Sequence, residues 1–410
     1  MSKAEVRTAT GTAQAVITRA EILARATSLV PSLRARAEES ERLRRAPDET
    51  VAEMKRLGLF RIVQPARYGG FELGWDVFCE AIQILAAGCG SQAWVHRVLG
   101  DHAQLLSGFP DQAQADVWGE DPDTLTCAAF APVGRARRTA SGFVISGRYA
   151  FASGIDHAQW VVCGGTIDGD TSAGGKPAPH FFLLPKLDVT VIDDWHVNGL
   201  EGSGSKSFEV SDAAVPAHRV LSFAAAVAGN GPGTMLNKAP IARLPRGGYT
   251  TCAFAALAVG MAQGMLADWL DYTAARRSGG IAVAQRESTH VTAGQASAEI
   301  EAAEALYLAT IRNAMRRLEH GEAMPPHEAV RARRNVACSC QLVTGAAMKL
   351  YAAMGGHAVY RGNPIERQFR NILAGMQHVA LNWEQSAGAY GAYLLHSHGA
   401  EVRFVSSLPL

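Results

Sequence analysis

A surplus of one charge is the first thing this sequence lacks. Over 410 residues, 39 Lys and Arg stand against 38 Asp and Glu, a formal net charge of +1. That balance leaves no electrostatic footprint for nucleic acid or an anionic membrane surface. Charge is also sparse overall, at 19% against 48% apolar residues, which excludes extended disorder. Cysteines are few and odd in number: Cys79, Cys89, Cys127, Cys163, Cys252, Cys338 and Cys340. No CxxC pair occurs among them, so neither a zinc site nor a disulfide framework is expected, and a reducing cytoplasm fits. No run of about 18 uninterrupted apolar residues marks a membrane span, and the opening residues lack the apolar stretch of a secretory signal. Phosphate and metal motifs fail as well. The segment Gly202-Ser203-Gly204-Ser205-Lys206-Ser207 has no Gly directly before its Lys, so it is not a Walker A loop. No GxGxxG joins a strand to a helix, and no HExxH or EF-hand loop is present. His396 and His398 read as a solvated end.

What the sequence does contain falls into three zones. At roughly 150 residues per domain, the length allows two or three units. Residues 1–16 read as a flexible arm and 17–122 as an N-terminal helical domain. There Ile22, Ala26, Leu29 and Leu33 recur at helical spacing, and Pro47-Asp48 opens a helix that stops at Gly58. Residues 123–233 read as a β-domain, an antiparallel barrel or sandwich. Its apolar runs are short and bounded by turn residues, as in Gly142-Phe143-Val144-Ile145-Ser146 and Phe181-Phe182-Leu183-Leu184-Pro185. The small-residue stretch from Ala224 to Gly233 reads as a loop. Residues 234–410 read as a C-terminal four-helix bundle. One apolar stripe holds Phe254, Ala258, Met261, Met265, Trp269 and Tyr272. A second holds Val336, Cys340, Val343, Ala347, Leu350 and Met354. The class is α+β, mainly α.

This order, and several stretches within it, resemble the acyl-CoA dehydrogenase fold. The strand from Ser141 to Gly154 is similar to the family's flavin strand, with Phe151-Ala152-Ser153-Gly154 at the flavin positions. Gly199 to Ser205, Val215-Pro216, Met354-Gly355-Gly356 and Glu366-Arg367-Gln368-Phe369-Arg370-Asn371 match its later landmarks. The catalytic carboxylate of the dehydrogenases is missing, because Val379 stands about where the Glu belongs. The other position for a base, around Arg246 to Phe254, also holds no acid. The family's FAD-holding run is reduced to Arg276-Arg277-Ser278-Gly279-Gly280-Ile281, which favours FMN.

Those departures resemble the oxygenase components of two-component flavin-dependent monooxygenases, the 4-hydroxyphenylacetate and secosteroid phenol hydroxylase type. The run Ser153-Gly154-Ile155-Asp156-His157-Ala158-Gln159-Trp160 is typical of that branch, as are His102 in the first zone and His378 in place of the base. The resemblance implies reduced FMN (FADH2 as the alternative), O2, a separate NAD(P)H-dependent flavin reductase, a homotetramer, and a C4a-hydroperoxyflavin that hydroxylates a phenolic or polycyclic aromatic ring. It implies catalytic roles for His378, Ser153 and His102, and substrate contacts at His102, Arg246 (or Arg243) and His378. Flavin contacts are implied at Trp94, Cys127, Phe151, Ala152, Ser153, Gly154, Gly355 and Gly356, with Arg276 and Arg277 on the phosphate. Two further activities stay open: N- or S-oxygenation by the same chemistry, and an acyl-CoA dehydrogenase with a displaced base.

Overall fold

The computed structural model describes residues 17–171 and 175–402; the expected arm at 1–16 lies outside the described residues. The first helices are α1 (Arg19–Ala35), α2 (Ala37–Leu43) and α3 (Asp48–Arg56). Thr18 and Glu21 close a capping box at the start of α1, and the stripe of Ile22, Ala26, Leu29 and Leu33 is buried. α3 begins after Pro47, and Gly58 follows it in the left-handed region. Next come α4 (Trp75–Gly88), α5 (Gly90–Leu106) and α6 (Asp111–Trp118). Every one of the 17 residues of α5 is buried. A helix enclosed on all sides must satisfy each polar side chain it carries, so its charges call for partners.

The central sheet has seven strands: β1 (Thr126–Thr139), β2 (Gly142–Ala152), β3 (Trp160–Thr171), β4 (Pro177–Pro185), β5 (Thr190–Ile192), β6 (Lys206–Pro216) and β7 (Val220–Ser222), in the order β5-β6-β2-β1-β3-β4-β7. The antiparallel expectation holds for every pair but one. β1 and β3 run parallel, so the sheet is mixed. The hairpin β1–β2 uses one edge of β1, and the turn through His157 returns the chain to the other edge in the same direction as β1.

Two irregularities in this ladder matter for the site. The β1–β3 register shifts between Ala129 and Gly134, which lifts Phe130 out of the pairing. Gly164 makes this possible, since a Cβ there would lie 2.3 Å from the Phe130 carbonyl oxygen. The β2–β6 register shifts between Tyr149 and Ala152, just before Ser153.

The segment expected to be a loop contains the short helix α7 (Phe223–Ala228), ended by Gly229 in the left-handed region. Composition alone misleads here, because a run of Ala is also a good helix former. The C-terminal part holds α8 (Arg246–Tyr249), α9 (Cys252–Ala275), α10 (Glu287–Glu319), α11 (Pro326–Ala353), α12 (Pro364–Gly375) and α13 (Trp383–Ser397). The hairpin β8–β9 (Arg277–Ser278 with Ile281–Ala282) links α9 to α10. α9 packs against α4, α10, α11 and α12. The segment Arg246–Ala275 is long and apolar enough to cross a membrane by composition, yet 83% of its apolar window is buried inside the protein. It is the central core helix.

Candidate active site

α5 carries the site. Trp94, Arg97, Asp101 and Gln104 fall at spacings of three and four, which places them on one stripe about 15 Å long. At one end the Trp94 indole donates to Ser153 Oγ at 3.0 Å. Ser153 Oγ lies 2.7 Å from Ser205 Oγ, which in turn lies 2.7 Å from Ser203 Oγ. All three serines are buried. The shift in the β2–β6 ladder delivers this hydroxyl relay to the tip of Trp94.

In the middle, the Arg97 guanidinium lies over the Phe254 ring, 3.7 Å from its centroid. Phe254 meets His378 at 4.2 Å and Trp94 at 5.6 Å between ring centroids. At the far end, Asp101 accepts from Arg246 at 2.6 Å and stands 3.3 Å from Arg97. Arg246 also donates to Gln104 at 2.6 Å. It reaches the core because Gly247 and Gly248 break the helical path just after it. Gly248 adopts φ +99°, and a Cβ there would sit 2.4 Å from the Ala329 carbonyl oxygen. Phe130 closes this end, 5.6 Å from His102 and 5.9 Å from the Arg246 guanidinium. Behind Gln104 and Arg246 a small cavity of about 10 Å³, room for about one water, lies between Leu105, Leu221, Ala226 and Gly231.

The two histidines are both neutral and carry opposite tautomers. His102 Nδ1 lies 2.7 Å from the Thr126 carbonyl, an acceptor only, so Nδ1 holds the proton and Nε2 presents a lone pair. Burial pushes this imidazole down to about 4. His378 caps the turn Val379–Leu381, its Nδ1 accepting from the Ala380 N–H at 3.2 Å. Its proton therefore sits on Nε2, a hydrogen-bond donor. Burial, with help from the Arg97 charge, pushes it to about 3. Burial would raise the Asp101 carboxyl, but the Arg246 and Arg97 guanidinium groups outweigh it and hold the group below its ordinary range.

The sequence expectations therefore divide. Ser153, Trp94, His102, Arg246 and His378 are brought together. Phe151 stands at the rim, 72% exposed at φ +64°, its ring against Trp195. Gly154 faces Leu99, where a Cβ would lie 3.1 Å from the side chain. The side chains of Cys127 and Ala152 are fully buried, on β1 and at the end of β2 next to Ser153. Arg276 donates to the Met354 carbonyl and flanks Gly355, with Gly356 in open space and Arg277 bonded to the Gly280 carbonyl. Among the described residues, no hydrogen bond or ring contact joins that corner to the α5 pocket. Arg243 donates weakly to the Leu318 carbonyl, outside the cluster. Arg97, Asp101, Gln104 and Phe130 escaped the sequence reading. The i, i+4 pair of Arg97 and Asp101 becomes distinctive only once α5 is seen to be buried.

The pocket fits a flavin. A buried serine relay meets a Trp edge, aromatic walls follow, and the Thr126 hydroxyl is buried without a partner. Ser153 would hold a ring nitrogen of that group, and Trp94 would wall it.

Comparison with known proteins agrees. Residues 21–119 match the acyl-CoA dehydrogenase N-terminal domain family, and residues 252–383 match the acyl-CoA dehydrogenase C-terminal domain family. The chain is 34% identical over 368 residues to the flavin-dependent monooxygenase oxygenase subunit HsaA of Rhodococcus jostii (strain RHA1), covering 89% of this chain and 95% of that protein. It is 32% identical over 386 residues to the oxygenase component of the FADH2-dependent resorcinol hydroxylase of Rhizobium sp. (strain MTP-10005), covering 91% and 94%. The crystal structure of 3-HSA hydroxylase from Rhodococcus sp. RHA1 superposes with a TM-score of 0.87 at 33% identity, covering 93% of this chain and 98% of that one. The chain belongs to the flavin-dependent monooxygenase oxygenase components built on the acyl-CoA dehydrogenase fold.

Proposed function

We propose that this enzyme hydroxylates the ring of a phenolic or polycyclic aromatic compound. The single observation that carries this is the tautomer of His102. Its unprotonated Nε2, fixed by the Thr126 carbonyl, is a hydrogen-bond acceptor for a phenolic O–H in a water-poor pocket. A hydrogen bond accepted from the phenol O–H draws electron density onto its oxygen and makes the ring more ready to attack an electrophilic oxygen. A reduced flavin, FMNH2 or FADH2, would supply the two electrons that split O2, one oxygen atom going to the ring and the other to water. Ser153, held by Trp94 and Ser205, would present its hydroxyl to the flavin. His378 Nε2–H donates to oxygen that gains negative charge, and Phe254 keeps it dry.

The dehydrogenase alternative needs a free carboxylate. Asp101 is tied to two guanidinium groups, and Val379 is exposed and apolar, which weighs against it. A separate NAD(P)H-dependent reductase is the partner this chemistry needs. The exposed Val359, Tyr360 and Leu395 on the bundle support assembly with further copies, a homotetramer. The seven free thiols, six of them buried, support a cytoplasmic setting. Arg276 and Arg277 remain the proposed phosphate contacts, beside Gly355 and Gly356 in the assembled enzyme.

The test is direct. The protein is mixed with a flavin reductase, NADH, flavin and a panel of phenols, aromatic amines and heteroaromatic sulfides under ¹⁸O2. A catechol carrying one ¹⁸O is expected. Oxygen found only on nitrogen or sulfur would overturn the phenolic assignment.

A further inference from the structure

The serine relay rests on a segment that no strand holds. Ser203 and Ser205 lie in and just after the turn Glu201–Ser203, before β6 begins at Lys206. The backbone leading into it is strained. Gly199 is at φ +109°, and Leu200, which carries a full side chain, is at φ +54°. A segment in that state keeps its shape only where its surroundings impose it.

Those surroundings come from α12. The Leu200 N–H donates to Asn371 Oδ1 at 2.7 Å, and a Cβ on Gly199 would lie 2.3 Å from the Arg370 carbonyl oxygen. The Arg370 guanidinium donates to Glu201 at 3.1 Å, to Glu41 on α2 at 2.8 Å, and to Glu366 on its own helix. Arg367 donates to the other oxygen of Glu41 at 2.9 Å. These side chains are 10% to 23% exposed, so solvent and salt screen the pairs less than at the surface. Arg370 is the cation bonded to all three carboxylates. The same helix leads to His378. Its last residue, Gly375, accepts the His378 N–H at 3.2 Å, and a Cβ there would lie 3.2 Å from the Trp94 indole. About 7.5 Å of α12 therefore separates the anchor of the relay from the anchor of His378.

A serine hydroxyl has one proton and two lone pairs. At Ser153 the Trp94 indole takes one lone pair and Ser205 takes a second position, which leaves one for the flavin. The placement of Ser205 decides where that one points. We propose, resting on the flavin-side role given to Ser153 above, that Arg370 is a positioning residue: its bond to Glu201 holds the Ser203–Ser205 turn against α12, and the turn sets the direction of the Ser153 hydroxyl. Arg370 acts through the relay and not by contact with the reacting atoms.

The decisive variant is Glu201→Ala, which cuts the tether and leaves Arg370 paired with Glu41 and Glu366. Two readouts apply to the full chain. In amide hydrogen exchange without flavin, residues 199–205 should exchange about tenfold faster, while residues 210–215 of β6 keep their wild-type rates. In turnover with reductase, NADH, flavin and a phenol, hydrogen peroxide released per reduced flavin consumed should rise several-fold. Ser205→Ala should raise it as well, and the double variant should be no worse than the poorer single one, because both cut one chain of contacts. Arg370→Gln should match or exceed Glu201→Ala in both readouts, and Arg370→Lys should recover part of the loss. Unchanged exchange in Glu201→Ala overturns the proposal and leaves the role of Ser153 standing. So do effects of Glu201→Ala and Ser205→Ala that multiply. If Ser153→Ala itself releases no additional peroxide, the reading of Ser153 falls, and the proposal with it. Should Arg370→Gln fail to fold, Glu201→Ala still decides.

Discussion

His102 and His378 occupy the two sides of one pocket, are both kept uncharged by burial, and yet offer opposite functions. The difference lies in what each finds in the backbone. His102 meets a carbonyl at the start of β1 and must donate to it, so its outer nitrogen accepts. His378 meets an N–H in a turn after α12 and must accept from it, so its outer nitrogen donates. A single residue type thus supplies a hydrogen-bond acceptor on one side and a donor on the other, without any charged imidazole at neutral pH.

Substitution can break this asymmetry. His102→Ala removes the acceptor and should lower turnover by about 10² to 10⁴, measured as catechol formed per unit time. A larger loss from His378→Ala would reverse the two roles. His378→Ala should cost about tenfold, because oxygen loses one donor. His378→Asn keeps both a cap acceptor and a donor and should restore most of that rate; an Asn variant as poor as Ala would remove the donor role. Ser153→Ala strands the Trp94 indole and interrupts the serine relay. It should raise hydrogen peroxide released per reduced flavin consumed several-fold, and unchanged coupling would remove Ser153 from the chemistry. Stability should also follow the histidines. A buried imidazole that is neutral when folded takes up a proton on unfolding once pH drops below about 6.5, so acid favours the unfolded chain. His96 and His102, both held at about 4, make the melting temperature fall progressively between about pH 6.5 and pH 4. A flat profile across that window would contradict the neutral tautomers. Smallest is the peripheral corner: Arg277→Ala should weaken flavin binding only a few-fold by fluorescence titration, since the residue is exposed and bonded locally.

Much of the frame was legible because it rests on periodicity. The stripes through Ile22 to Leu33, Phe254 to Tyr272 and Val336 to Met354 are buried or nearly so, because a helix face repeats every three or four residues. Strand partners carry no such mark, so the parallel pairing of β1 with β3 was not visible, nor was α7 within its alanine run. At the site, Ser153, His102, Arg246 and His378 could be found from the resemblance. Arg97 and Asp101 could not, because an i, i+4 ion pair looks the same on a solvated face as in a core; only the burial of α5 tells them apart. Position along a strand does not reveal which residues the sheet encloses, so the full burial of the Ala152 and Cys127 side chains was not legible either.

The enclosure of α5 sets a limit on how this pocket can change. Its functional groups are spaced by the pitch of a rigid rod, and the rod cannot slide or flex without dismantling the layers around it. New substrate preferences are therefore expected to arise opposite it. The raised Phe130, the glycine break beside Arg246 and the turn that holds His378 can each be remodelled by a residue or two, while the ruler they are measured against stays fixed.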